Sequence, residues 1–151
     1  MATLFILCGL PGSGKTTFCK NYPEVVHISR DEIRFSLVKE GEPYFSKEKQ
    51  VTRRFWKEIN KNLSEGNSVF ADQTSLTKKS RQLLMNHIIV PNVKFICVEV
   101  NGNNLKMSLE RNEKRIGTRA YVPPEVIHSM SRDFEEPTCD EGFDEVLRYT
   151  F

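Results

Sequence analysis

Residues 9 to 16 read Gly-Leu-Pro-Gly-Ser-Gly-Lys-Thr, three glycines followed by a lysine and a hydroxyl at the spacing G-x-x-x-x-G-K-[ST]. The chemistry open to such a run is phosphate binding. Glycines at 9, 12 and 14 carry no Cβ and tolerate positive φ, so successive backbone N–H groups can turn inward and form an anion nest. Lys15 adds a point charge for the outer phosphates, and Thr16 offers a hydroxyl to Mg²⁺. ATP contacts are therefore expected from Gly9, Pro11, Gly12, Ser13, Gly14, Lys15, Thr16 and Thr17. The pattern alone arises by chance in roughly one 150-residue chain in two hundred. Its context decides: an apolar run precedes it and a plausible helix follows.

Holding ATP is not yet a reaction, and three further groups supply candidates for one. In His27-Ile28-Ser29-Arg30-Asp31-Glu32-Ile33-Arg34, Asp31 could act as a general base, with Arg34 one helical turn on to bind an anionic substrate group. Asp31 suits a helix N-cap equally well. In Val69-Phe70-Ala71-Asp72, the carboxylate of Asp72 could sit near Mg²⁺, order a neighbouring arginine, or merely cap a turn. Arg111 and Arg115 stand four apart near the end of a helix-length stretch, with Gly117 and Arg119 beyond. Arginines on a mobile lid could neutralise charge on the transferring phosphoryl group, or simply answer a helix dipole.

Positioning these groups requires a scaffold. Short apolar runs at 4–8, 25–28, 68–71, 93–100 and 146–149 alternate with longer amphipathic stretches. Continuous apolar strands separated by helices indicate a parallel sheet covered on both faces, a doubly wound α/β domain. The carboxyl ends of its strands share one edge, which would bring residues 29–31 and Asp72 beside the phosphate loop. Within 46–65, Val51, Phe55, Ile59 and Leu63 form an apolar stripe, and Lys49, Arg53, Lys57 and Lys61 recur on the opposite face. That basic face is either solvated or a track for substrate phosphates.

Composition bounds the rest. The chain has 151 residues, 22 Lys+Arg and 20 Asp+Glu, for a net charge of +2. Residues 1–132 hold 21 basic and 13 acidic residues, and residues 133–151 hold Arg148 against seven acids. Ten Phe and a Trp supply a core and exclude a disordered chain, while the near-neutral total excludes a basic coat protein. The length suits one domain over 1–151. No apolar run is long enough to span a bilayer, and Cys8, Cys19, Cys97 and Cys139 match no ligand spacing, so reduced thiols in a cytoplasmic protein are expected. In the acidic tail, Phe134, Pro137 and Phe143 should pack on the sheet edge with the acids solvated.

The segments GLPGSGKT, HISRDEIR, FADQTSLT, LERNEKRIGTRAYVPPEVIHSM and FEEPTCDEGFDEV together resemble the P-loop kinase domain of polynucleotide 5′-hydroxyl kinases of the phage type, and related small AAA-type P-loop kinases. The resemblance spans the chain, least specifically over 41–66. It implies a P-loop NTPase fold with five parallel strands in the order 2-3-1-4-5 and a helical lid over roughly 108–124. It implies ATP and Mg²⁺, with Asp31 as the base for the 5′-hydroxyl of RNA or DNA and Arg34 on the neighbouring phosphate. It implies Lys15, Arg111 and Arg115 on the donor phosphates, and Asp72 supporting the site. A stand-alone kinase is expected, since 151 residues hold no phosphatase or ligase domain. Relatives with the same motifs act on small-molecule hydroxyls, and a nucleotide-dependent binding module would lack an acceptor-side base. The oligomeric state has no signature in the sequence.

Overall fold

A computed structural model describes residues 1–151. Its five strands are β1 (Thr3–Cys8), β2 (Val26–Ser29), β3 (Val69–Asp72), β4 (Lys94–Val100) and β5 (Glu145–Tyr149). They form one parallel sheet in the order β2-β3-β1-β4-β5. The helices are α1 (Lys15–Lys20), α2 (Arg30–Leu37), α3 (Glu48–Ser64), α4 (Lys78–Asn86), α5 (Leu105–Glu113) and α6 (Pro124–Asp133). No helix is long and apolar enough to cross a membrane.

Both faces of the sheet are covered at its centre, which is why β1 and β3 are almost entirely apolar, while β5 at the edge carries exposed Glu145 and Arg148. Leu4, Ile6 and Cys8 point to one face, where Val51, Phe55, Ile59 and Leu63 of α3 and Leu84 and Met85 of α4 join them in the larger core. Leu7 points to the other face and meets Phe18 and Cys19 of α1, with Phe70, Ile96, Val98 and Val100. Pairing of Ile28 with Ala71 and Ser29 with Asp72 brings the ends of β2 and β3 level, and Leu4, Phe5 and Ile6 of β1 pair with Val69, Phe70 and Ala71. Lys49, Arg53, Lys57 and Lys61 are exposed on the outer face of α3.

The acidic tail departs from expectation at one residue. Pro137 and Phe143 are buried, but so is the side chain of Glu141. It accepts from Arg81 of α4, Nε to Oε1 at 2.8 Å and Nη2 to Oε2 at 3.1 Å. Arg81, fully buried, also donates to the carbonyls of Ser75 and Glu135. A buried guanidinium has to be satisfied on every side, and Glu141 supplies the countercharge that solvent cannot.

Candidate active site

A cleft of about 630 Å³ opens at the carboxyl edge of the sheet, lined by Pro11, Gly12, Gly14, Lys15, Thr16 and Thr17 on one side and Asp31 and Arg34 on another. Asp72, Arg111 and Arg115 also line it. Gly12 and Gly14 adopt φ of 76° and 103°, which L side chains rarely take. Gly9 is glycine for a different reason: a Cβ there would sit 2.5 Å from Ser13 Oγ and 2.9 Å from the Val100 carbonyl. Gly9 and Ser13 therefore build the loop rather than line the cleft. The Ser13 N–H donates to Leu10, and its carbonyl accepts from Asn101. Lys15 is buried with Nζ 2.8 and 2.9 Å from the carbonyls of Gly9 and Leu10. Burial pulls its ammonium below the ordinary value, opposed by the carboxylate of Asp72. No side chain caps α1, so its first N–H groups have no side-chain partner. Left-handed glycines, an uncapped helix start and a converging lysine are the features a triphosphate requires, and the loop fits one.

The second side of the cleft is built from α2 and the segment before α3. Ser29, not Asp31, caps α2, its Oγ accepting from the N–H of Glu32 at 3.2 Å. Asp31 is thereby free of capping and its side chain is 66% exposed to the cleft. Arg34 Nη1 donates to Asp31 Oδ1 at 2.5 Å and to the Tyr44 hydroxyl at 2.9 Å. Its Nε and Nη2 donate to the two oxygens of Glu48, at 2.7 and 3.2 Å. Four of the five guanidinium N–H groups are thus engaged. Tyr44 stacks on the same guanidinium at 4.6 Å. Arg30 also donates to Glu48, at 2.9 Å. Burial alone would raise the Glu48 carboxyl, but hydrogen bonds from Arg34 and then Arg30 hold it below the ordinary carboxylate range.

Asp72 is buried and caps no turn. Its Oδ2 accepts from Thr16 Oγ1 at 3.0 Å and lies 2.8 Å from His27 Nε2. A hydroxyl and a carboxylate sharing one point are a hard oxygen donor set that fits Mg²⁺ beside the phosphates. Arg111 lies on α5, and Arg115 lies in the turn beyond the helix end, yet both reach the phosphate loop. Arg111 Nη1 donates to the Gly12 carbonyl at 2.9 Å, and a Cβ on Gly12 would lie 4.0 Å from the Arg115 guanidinium carbon. Ser108 donates to the Pro11 carbonyl, and Asn112 exchanges two hydrogen bonds with the backbone of Val122. These contacts fix the base of segment 108–124 to the phosphate loop. Arg119 does not join the cleft. It donates to the carbonyls of Phe35 and Val38 and stacks on the Phe35 ring, so it fastens the segment to the end of α2.

A family model described as an AAA domain matches residues 4–137. The chain belongs to this AAA-domain family. A relative from Autographa californica nuclear polyhedrosis virus, described as a bifunctional polynucleotide kinase/RNA ligase, is 26% identical over 144 residues. The match covers 87% of this chain, which spans about a fifth of that relative's length (20%). Among solved structures, the Pnkp1/Rnl/Hen1 RNA repair complex superposes with a TM-score of 0.69 at 23% identity, covering 87% of this chain and 43% of that one. A sugar kinase from Janibacter sp. HTCC2649 gives a TM-score of 0.68 at 18% identity, covering 99% and 86%. The fold of this AAA domain is that of a small P-loop kinase.

Several residues in and behind the cleft have no motif to announce them. Glu48 stands 14 positions from Arg34 and Tyr44 stands 13 from Asp31, in the stretch where the sequence is least specific. The Tyr44-Phe45 aromatic pair just before a helix is the one local signal. His27 stands in the strand ahead of Ser29, but its partner Asp72 lies on another strand. Phe151 lies against the phosphate loop, its ring 2.9 Å from where a Cβ on Gly14 would be.

Proposed function

We propose that this protein is an ATP- and Mg²⁺-dependent kinase that transfers the γ-phosphoryl group to the 5′-hydroxyl end of a polynucleotide. The observation that carries the reading is Asp31, an exposed carboxylate held by Arg34 and Tyr44 across a cleft from the phosphate loop. A protein that only bound or hydrolysed ATP would need no such acceptor-side base. Asp31 accepts the proton as the acceptor oxygen bonds to the γ-phosphorus, and the bond from that phosphorus to the β–γ bridging oxygen breaks to release ADP. Lys15 and Arg115 neutralise the charge gathering on the phosphoryl oxygens, Arg111 holds the segment 108–124 down as a lid, and Thr16 with Asp72 would hold Mg²⁺, whose charge would shield the phosphates. Arg34 positions Asp31 and offers its remaining N–H to an anionic group beside the hydroxyl.

The polynucleotide acceptor is supported by the HISRDEIR segment and by the similarity to a protein described as a polynucleotide kinase/RNA ligase. A small-molecule acceptor is the second reading, favoured by the near-complete overlap with a sugar kinase. Domain unity over residues 1–151 and action in the reducing cytoplasm belong to the same proposal. Incubation with labelled ATP and a 5′-hydroxyl oligonucleotide, beside sugars, nucleosides and aminoglycosides, separates the two. Label on the oligonucleotide supports the first reading; label only on a small molecule replaces it with the second.

A further inference from the structure

A shallow, open groove of about 330 Å³ lies on the surface of the amino-terminal half of α3, lined by Glu48, Lys49, Thr52, Arg53 and Trp56 of that one helix. It adjoins the acceptor side of the cleft through Glu48, which forms one end of the groove and grips Arg30 and Arg34, both of which line the cleft. Arg30 reinforces the join by donating to Thr52 Oγ1 at 2.7 Å. The charge of the groove is one-sided. Its only acid, Glu48, is neutralised by Arg30 and Arg34, whereas Lys49 and Arg53 are exposed, and the ion pairs of α3 involve Glu48 and the Arg54–Glu58 pair alone. At the far end lies Trp56, half-buried, with the His87 imidazole stacked on it at 3.6 Å and 16°.

We propose that this groove is a subsite for the acceptor strand beyond its first nucleotide, with Lys49 and Arg53 on two of its phosphates and Trp56 against a base. The proposal rests on the polynucleotide reading above and names where the rest of the strand goes. From Glu48 to Trp56 is about 12 Å along the helix. That accommodates on the order of three nucleotides at the ~3.4 Å per phosphate of a stacked strand. Cations four apart, a threonine between them and an indole at the end form a charged track with a stacking platform, the arrangement that holds single strands without reading sequence. A sugar or a nucleoside would leave the groove unused.

The test is an acceptor length series. KM and kcat are measured for thymidine 3′-monophosphate and for 5′-hydroxyl oligothymidylates of two, four and eight residues. The wild type, Lys49→Ala/Arg53→Ala and Trp56→Ala are compared. In the wild type KM should fall from the dimer to the tetramer and then level off. In Trp56→Ala the octamer KM should rise roughly five- to hundred-fold, as loss of one stacked base requires. The double variant should raise it too and flatten its salt dependence by about 1.4 in log–log slope, from the loss of two phosphate contacts. In both variants kcat and the KM for thymidine 3′-monophosphate should stay unchanged. The double variant alters exposed residues and keeps the test valid even if Trp56→Ala fails to fold. A KM independent of length beyond the dimer, or an octamer KM unmoved in the double variant, overturns the subsite while leaving the kinase reading intact. Transfer to a sugar and to no oligonucleotide overturns both.

Discussion

Arg34 and Glu48 are locked together by two parallel hydrogen bonds, Nε to Oε1 at 2.7 Å and Nη2 to Oε2 at 3.2 Å. The pair fixes the plane of the guanidinium, and with it the direction of the Nη1 that holds Asp31. Glu48 therefore acts on the exposed carboxylate at one remove. Glu48→Gln breaks the fork and lets Arg34 turn. Turnover should fall on the order of 10- to 100-fold through misplacement of Asp31, with the KM for ATP nearly unchanged. Steady-state kinetics against both substrates check this, and an unaltered kcat would remove the positioning role.

The same pair sets a pH dependence of stability. The folded-state carboxyl of Glu48 lies below its ordinary value of 4.5, so its contribution is complete above that pH and is lost as pH falls through the lower folded value. The gap in denaturation midpoint between wild type and Glu48→Gln should be full at pH 7 and should close only below pH 4.5. A gap that widened on acidification would have the wrong sign.

Arg111 and Arg115 should differ despite their shared motif. Arg111 is engaged with the Gly12 carbonyl and so is tied to the phosphate loop itself. Arg115 makes no such side-chain contact with the loop, and its guanidinium carbon sits 4.0 Å from the Gly12 Cβ direction. Arg115→Ala should lower kcat by on the order of 100-fold with little change in ATP affinity, the pattern of a contact made mainly in the transition state. Arg111→Ala should chiefly weaken ATP binding. Titration of ATP beside single-turnover rates distinguishes them; identical profiles would refute the division.

Much of this fold is legible from the residues, and the reason is physical. Strands covered on both faces must be apolar throughout, so β1 and β3 announce themselves, and α3 repeats a buried residue every turn from Val51 to Leu63. The phosphate loop is legible because its glycines answer a local backbone demand. What stayed hidden depends on contacts between distant positions. Arg81 and Glu141 lie 60 residues apart, and nothing local marks an arginine that will be wholly buried or an acid that will join it. Arg119 carries the same charge as Arg115, and only the path of the chain sends it to Phe35 and Val38 instead of the cleft. Asp31 is told apart from a helix cap only by the fold, in which Ser29 fills that role.

Arg81→Met should destabilise the protein by about 3–5 kcal/mol, because it leaves Glu141 as a buried charge with no countercharge, only the hydrogen bond from the Thr138 N–H. Replacing both partners with apolar residues should recover much of the loss. Denaturant midpoints of the single and double variants check this, and a loss below about 1 kcal/mol in Arg81→Met would mean that Glu141 finds water.

The decisive measurement is Asp31→Asn, assayed for ATP affinity by titration and for transfer to a 5′-hydroxyl oligonucleotide in a single turnover. The amide keeps the shape of the side chain and loses the capacity to take a proton. The ATP Kd should stay within about threefold while the transfer rate falls roughly 100- to 10,000-fold, the range of general-base catalysis. Transfer at the wild-type rate would contradict the account at its centre.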